Sequence, residues 1–118
     1  MKITSYKDLI VWQKSKQLVI EIYRLTAQFP PHEKFGITSQ FNRAAFSIPL
    51  NIAEGYRRRG VKERKQFFAI AFGSGAELET LVDICKDLPE FQRFDFHIVE
   101  SFLDEIMRML NVFINRMA

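Results

Sequence analysis

TSQFNRAAFSIPLNIAEGYRRRGVKERK, residues 38–65, decides the fold of this chain. The stretch predicts one long helix, a short break and the start of a second helix. At about 100° per residue, the apolar side chains of the first helix fall on one stripe. The members of this stripe are Ile37, Phe41, Ala44, Ala45, Ile48 and Ile52. A helix in a bundle buries such a stripe against its neighbours.

The same helix has a second apolar face. Phe46, Leu50 and Ala53 fall on roughly the opposite side from the main stripe. A polar flank separates the two faces and contains Gln40, Arg43, Ser47, Asn51 and Glu54. A helix that packs on one small core needs only one apolar face. We therefore expect another helix or another subunit to cover the second.

Pro49 lies inside this predicted helix. A proline there removes the hydrogen bond to the carbonyl of Ala45 and pushes on that carbonyl, so we expect a kink. Asn51 and Glu54 follow closely. We interpret them as partners for backbone groups near the break rather than as catalytic groups, because no partner base or nucleophile lies nearby.

Three further helices are predicted from apolar spacing and from the breaks between them. The first runs from about Tyr6–Asp8 to Gln28, the third from Val61 to Asp87 and the fourth from Phe94 to Arg116. No stretch alternates as a half-buried strand does. Helices of about 22 residues are roughly 33 Å long, and short loops make neighbours antiparallel. The fold class is therefore all-α, an antiparallel up-down-up-down four-helix bundle that forms a single domain over residues 1–118.

Inward-facing stripes are predicted for these three helices as well. Helix one contributes Val11, Leu18, Ile22, Leu25 and Phe29, widened by Trp12, Val19 and Tyr23. Helix three contributes Phe67, Ile70, Ala71, Leu78, Leu81, Val82 and Cys85, and helix four Val99, Phe102, Leu103, Ile106, Met109, Leu110, Phe113 and Met117. On helix three, Phe68, Phe72 and Ala76 lie away from the stripe. Helix three thus repeats the second apolar side of helix two.

Positive charge is concentrated after helix two. The formal net charge is +3, but the segment Arg57–Lys65 alone holds +5, so the other residues sum to −2. Its cations are Arg57, Arg58, Arg59, Lys62, Arg64 and Lys65. Arginine offers a bidentate fork to phosphate, and each phosphate contact releases counterions. The segment is therefore a candidate nucleic-acid site, with Tyr56 as a candidate to stack on a base; the alternative is a solvated inter-helix corner.

Composition excludes several classes of protein. An apolar content of 47% and a charged content of 26% are typical of a globular domain. No apolar run approaches the roughly 20 residues of a membrane span, and the N-terminus lacks the apolar core of a signal peptide. The single Cys85 lies on an apolar stripe and is expected to be a buried thiol. These features favour a cytoplasmic protein without a membrane partner.

Catalytic and cofactor chemistry find little support. His32 and His97 have no cysteine or histidine at ligand spacing, and neither follows a glutamate by three residues, so no metal site is expected. Gly73-Ser74-Gly75 lacks the remaining residues of a phosphate loop, and close approach to a neighbouring helix explains it better. Glu77 and Glu79 are expected to pair with Arg43, within the subunit or across an interface. We expect no enzyme and no cofactor.

Several stretches together resemble one known family. They are YKDL (6–9), VWQK (11–14), FP (29–30), EKFGITSQ (33–40), RAAFSIP (43–49), NIAEG (51–55), GS (73–74) and AELET (76–80). The chain resembles the four-helix bundle family named after the 23S ribosomal RNA intervening sequence, also called the S23 family. The resemblance spans roughly the first 80 residues. It departs at Asn42, where a second arginine is common, at Leu50, where a small residue is usual, at Gly60, where a capping serine or threonine is common, and after Thr80.

The resemblance implies an antiparallel bundle that assembles into a ring, usually a homopentamer, with a role at RNA or DNA and no established catalytic residues. A closed ring would bury Phe46, Leu50, Phe68 and Phe72. The sequence therefore predicts a non-enzymatic oligomer that binds nucleic acid through Arg57–Lys65. The alternative is a protein-interaction scaffold, for example an accessory protein of a reverse transcriptase, without a nucleic-acid role of its own.

Overall fold

The computed structural model describes residues 2–116, and all regular structure in that range is helical. The helices are α1 (Ile10–Thr26), α2 (Ile37–Arg57), α3 (Val61–Asp87) and α4 (His97–Arg116). Short 3₁₀ turns lie at Tyr6–Asp8, Pro31–Glu33 and Pro89–Phe91. The prediction of an all-α, four-helix protein is confirmed. Within the described range, no helix is both long enough and apolar enough to cross a membrane.

Contacts between successive helices run in opposite directions. The Asn42 side chain donates to Thr26 Oγ1 over 3.2 Å, while Phe46, one turn further along α2, meets the ring of Tyr23, one turn earlier on α1. Residue numbers therefore rise on α2 as they fall on α1. The same reversal holds for α2 with α3 (Gly55–Phe68, Ser47–Ser74) and for α3 with α4 (Phe68–Phe113, Lys86–Glu100). Consecutive helices are antiparallel in a body of 45 × 24 × 22 Å.

One apolar cluster fills the centre of the bundle. Phe29 follows the end of α1, and its ring contacts three other aromatic rings. The distance between ring centres is 5.5 Å to Phe41 on α2, 4.9 Å to Phe91 and 5.1 Å to Phe94, and the last two residues lie between α3 and α4. Such edge-to-face aromatic contacts add to the free energy of burying the rings. Most of the predicted stripes of α1 and α2 are buried, namely Val11, Leu18, Ile22, Leu25 and Phe29 with Phe41, Ala44, Ala45, Ile48 and Ile52. Ile37, Trp12 and Val19 are only partly buried, and Tyr23, predicted to widen the α1 stripe, is exposed.

The inward face predicted for α3 is partly wrong. Phe68, expected on the outer side, is only 2% exposed, whereas Ile70, expected in the core, is 51% exposed. The buried stripe of α3 passes through Ala71 and Gly75, which a search for large apolar residues does not weigh. Phe72 is half-buried and packs against the core, and Ala76 is exposed. Of the three residues predicted to form a second apolar side on α3, Phe68 is in the core, Phe72 is at its edge and only Ala76 is exposed.

Two helix starts differ from expectation. Asp8 does not begin α1 but caps the preceding 3₁₀ turn, and α1 starts at Ile10. α4 starts at His97, three residues later than predicted, where the Asp95 carboxylate accepts a hydrogen bond of 2.9 Å from the His97 N–H. Such side-chain acceptors satisfy free N–H groups at helix starts. α2 continues through Pro49. The predicted inward position of Met117 lies outside the described residues.

Candidate nucleic-acid interface

The corner between α2 and α3 is tight because Gly55 lets the two helices approach. A Cβ at Gly55 would lie 2.9 Å from the ring of Phe68 and 3.1 Å from the Cβ of Phe67. The backbone turns extended at Arg58, whose N–H donates to the carbonyl of Gly55 over 3.2 Å. α3 begins directly after Gly60, which has open space where a side chain would lie. The six predicted cations are thus brought to one end of the bundle.

Arg64 has a structural role at this corner. Its Nε and Nη2 donate to the backbone carbonyl oxygen of Arg58 over 3.2 and 2.7 Å. The last carbonyl groups of a helix lack partners within the helix, and a basic side chain that reaches them caps the helix. Arg64 therefore ties the end of α2 to the start of α3.

Arg58 is held by two carboxylates and an aromatic ring. Its Nη2 lies 3.1 Å from Glu54 Oε2, its Nη1 lies 3.9 Å from Glu63 Oε2, and its guanidinium lies 4.8 Å from the ring centre of Phe67. Its charge is therefore largely balanced by the protein. Surface ion pairs of this kind stabilise a fold little, but they leave less of the cation available to a ligand.

Arg57 turns to the other side of α2. Its guanidinium lies 5.5 Å from the ring centre of Tyr6, which belongs to the 3₁₀ turn before α1. Trp12 meets the same tyrosine ring edge-on, with 5.3 Å between ring centres. No carboxylate among residues 2–116 forms an ion pair with Arg57. The cation is stacked rather than neutralised.

The three remaining cations of the corner have no such partners. Arg59, Lys62 and Lys65 are exposed, and within the described part of the chain they form no side-chain hydrogen bond, ion pair or stacking contact. Of the six predicted residues, these three have side chains that are free to meet an external anion. We call Arg59, Lys62 and Lys65 the free cations below.

The residues predicted for a subunit interface do not share one surface. Phe46 is 43% exposed and Leu50 is 61% exposed, and both line a groove between α1 and α2. Phe68 lies in the core against Phe113, with 5.6 Å between ring centres. Phe72 packs at the edge of the core. An interface made by the outer face of α2 therefore does not include Phe68.

The other predicted polar groups have structural surroundings. Asn51 donates to the Ser47 carbonyl over 2.8 Å and to Ser47 Oγ over 3.0 Å, and Ser74 donates to the same hydroxyl over 2.7 Å. The expectation that Asn51 and Glu54 satisfy backbone groups freed by Pro49 is therefore wrong: Asn51 bonds to the carbonyl of Ser47 rather than that of Ala45, and Glu54 pairs with Arg58. Among the described residues, Arg43 forms no ion pair with Glu77 or Glu79.

The structure also shows the surroundings of the glycines, of His32 and of Cys85, which the sequence singled out. Gly75 is buried where a Cβ would overlap the sulfur of Met107, as close helix packing predicts, but Gly73 has open space around it. His32 Nε2 lies 3.3 Å from Glu90 Oε2. Cys85 is fully buried as predicted, and its burial, with a smaller effect of Glu33, raises the pKa of its thiol to about 11. No group of three potential metal ligands occurs within residues 2–116.

Tyr6 was missed as a site residue by reasoning from the sequence. It lines depressions on both sides of Arg57, although the two residues lie far apart in the chain. A weak signal was present in the Ser5-x-x-Asp8 spacing, which is typical of a capping box and fixes the turn that carries Tyr6.

Comparisons with known proteins concern the chain as a whole. A family model described as 23S rRNA-intervening sequence protein matches residues 7–112, which includes all four helices up to the last turn of α4. A comparison with curated proteins finds no match.

Proposed function

The chain belongs to the family of 23S rRNA-intervening sequence proteins, and on that premise we propose that it is a non-enzymatic helical bundle that binds RNA or DNA phosphates. The binding surface is the corner between α2 and α3. The protein acts in the cytoplasm and assembles with copies of itself. The family description, which refers to an RNA, is compatible with this role.

The observation that carries the proposal is the presence of the three free cations at one end of the bundle, Arg59 in the connection after α2 and Lys62 and Lys65 at the start of α3. Arg59, Lys62 and Lys65 are exposed, and the rest of the chain outside Arg57–Lys65 sums to a net charge of −2. A protein surface that concentrates unpaired cations in this way attracts the phosphate backbone without reading its sequence. Binding is therefore sequence-tolerant and weakens steeply with salt.

Self-association strengthens this binding. The groove between α1 and α2 exposes Phe46 and Leu50, and a second subunit is the proposed cover for their apolar surface. In a closed ring, such as the homopentamer that the resemblance implies, one copy of the corner per subunit would lie on the same assembly. Several weak phosphate contacts would then act together through their high effective concentration.

The same apolar groove also favours a second candidate function. A protein-interaction scaffold, for example an accessory protein of a reverse transcriptase, would use it to bind a partner protein. The two functions differ in their response to salt, because phosphate contacts weaken steeply with ionic strength whereas an apolar protein contact does not.

The test replaces the free cations by glutamine, as the triple variant Arg59→Gln, Lys62→Gln and Lys65→Gln. Because these side chains have no partner among the described residues, the fold is left intact. Binding of a fluorescent single-stranded RNA is measured by anisotropy at several salt concentrations. Loss of three phosphate contacts reduces the slope of log affinity against log salt by about 2.

The matched control changes three exposed cations outside the corner, Lys34→Gln, Arg43→Gln and Arg93→Gln, with the same change in net charge. Its affinity and salt slope stay near those of the parent. If both triple variants weaken binding equally, net charge rather than the corner is responsible. If the parent binds neither RNA nor DNA at low salt, the scaffold function is favoured instead.

A further inference from the structure

A crevice lies between the N-terminal segment and the end of α2, at Arg57. It has a volume of about 420 Å³ and is lined by Thr4, Ser5, Tyr6, Tyr56 and Arg57. On the other side of the Tyr6 ring, a second depression continues along α2 past Ala53 and Leu50. We call the first of these the Tyr6 crevice.

The wall of the crevice formed by the N-terminal segment is fixed by hydrogen bonds to one carboxylate. Asp8 Oδ2 accepts from the N–H of Thr4 over 3.0 Å, from its hydroxyl over 3.1 Å and from the N–H of Ser5 over 3.1 Å. These bonds, the Thr4 backbone one foremost, lower the pKa of Asp8, so this carboxylate is ionised at neutral pH. The turn that carries Tyr6 therefore has a fixed conformation before any ligand arrives.

The chemistry of the lining matches a nucleotide. Tyr6 and Tyr56 are both partly exposed, and aromatic rings and guanidinium planes stack on bases whatever their identity. The Thr4 hydroxyl donates to Asp8 and the Ser5 hydroxyl accepts from the Lys7 N–H. Thr4 Oγ1 therefore keeps only acceptor capacity for a base or a sugar, and Ser5 Oγ keeps its proton to donate. The carboxylate nearest to the crevice on α2, Glu54, is paired with Arg58 at 3.1 Å, so its charge opposes an anion less.

The stacking of Arg57 on Tyr6 could by itself be a contact that only stabilises the fold. Here Arg57 has no carboxylate partner among the described residues, and the chain runs from it through Arg58 directly to the free cation Arg59. Because Arg59 follows Arg57 by only two residues, a strand with a phosphate on Arg59 can extend to the crevice.

We propose that the Tyr6 crevice binds an unpaired base of single-stranded RNA or DNA, which packs against the ring of Tyr56 and the stacked pair of Tyr6 and Arg57. This inference rests on the proposed function and adds the class of ligand to it. In a duplex the base faces are stacked on their neighbours and cannot enter, so the site discriminates single strands from duplexes by shape.

The single tryptophan of the chain reports on this site. Trp12 lies edge-on to Tyr6 at 5.3 Å, and its fluorescence responds to a change at that ring. The parent protein is titrated with a twelve-nucleotide single strand, with the same strand in a duplex, and with an abasic strand of equal length. The single strand is expected to change the Trp12 emission and to bind roughly 10-fold more tightly than the abasic strand, as one stacked base provides.

Variants locate the effect. Tyr6→Leu and Tyr56→Leu are expected to remove the preference for the intact strand while the abasic strand binds as before. Tyr23→Leu is the matched control, because Tyr23 is 54% exposed and lies against Phe46, outside the crevice. It retains the preference. Far-ultraviolet circular dichroism confirms that each variant remains helical.

The outcomes separate the two proposals. If the intact and abasic strands bind the parent protein equally and Trp12 does not respond, the crevice proposal is overturned while phosphate binding at the corner stands. Failure of every strand to bind at low salt overturns both. The comparison of strands on the parent protein needs no variant, so a variant that fails to fold does not weaken it.

Discussion

Arg59 and Arg64 carry the same charge and lie five residues apart in the chain, but their surroundings give them different roles. Arg64 donates two hydrogen bonds to the carbonyl of Arg58, whereas Arg59 has no side-chain partner among the described residues. From the sequence alone, the two arginines appear equivalent members of one basic cluster. Charge alone therefore does not distinguish a side chain that caps a helix from one that is free to meet an anion.

Replacement of Arg64 by glutamine is expected to lower the free energy of unfolding by about 1 kcal/mol, because the end of α2 loses its capping hydrogen bonds. Arg59→Gln is the matched control and leaves stability unchanged while it weakens RNA binding. Urea denaturation followed by circular dichroism measures the first effect, and anisotropy the second. Equal stability of the two variants would contradict the capping role of Arg64.

Cys85 offers a test of burial at the level of one atom. Burial, with a smaller effect of Glu33, raises the pKa of this thiol from its ordinary value of 9.0 to about 11. Because the folded pKa is the higher one, the neutral thiol contributes its full stability below pH 9.0, and this contribution is lost as the pH rises toward 11. The folded protein is therefore expected to lose stability in that range, and Cys85→Ala is expected to lose less.

Thiol chemistry checks the same point independently. At pH 7 the folded protein should react with a chromogenic disulfide reagent only as fast as it unfolds, because the reactive thiolate is neither formed nor accessible. Addition of urea above the unfolding midpoint should make the reaction fast. Rapid labelling of the folded protein in buffer would show that Cys85 is less buried than the structure has it.

At the scale of helices, two glycines on either side of the corner have opposite surroundings. A Cβ at Gly55 would lie 2.9 Å from the buried ring of Phe68, whereas a Cβ at Gly73 would meet nothing within 4 Å. Gly55→Ala is expected to destabilise the fold by about 1–3 kcal/mol through overpacking. Gly73→Ala is expected to stabilise it by about 0.5–1 kcal/mol, because alanine favours a helix over glycine.

Thermal unfolding of the two variants side by side measures the contrast, since both make the same chemical change within a helix. A loss of stability in Gly73→Ala would contradict the prediction that Gly73 is surrounded by open space. It would mean that the exposed face of α3 is already in contact with another surface. In that case the stripe around Gly73 would belong to an interface.

The helices themselves were predictable because periodic apolar residues and prolines mark them directly in the chain. α3 was predicted with both its ends at Val61 and Asp87, and they are correct. Its inward face was not, because the choice between Phe68 and Ile70 depends on how α2 and α4 are placed around it. The crevice at Tyr6 could not be predicted for the same reason: it joins two segments that only the packing of α1 on α2 brings together.

For the whole molecule, the question is whether the outer face of α2 is solvated or covered. Leu50 is 61% exposed in the subunit, so that a charge there is tolerated by the isolated bundle but not by an apolar interface. Leu50→Glu is therefore expected to convert an oligomer into a folded monomer of 13.9 kDa. The monomer should also bind RNA more weakly, because its corners no longer act together.

Val112→Glu is the control, since Val112 is 46% exposed on α4, away from the groove between α1 and α2. It is expected to keep the mass of the parent in sedimentation velocity at micromolar concentration. Two results argue against assembly through α2: a parent protein that already sediments as a 13.9 kDa monomer, or a Leu50→Glu variant that keeps the parent's mass. In either case the exposed Phe46 and Leu50 would be open to a partner protein, and the scaffold function would become the better account of the groove.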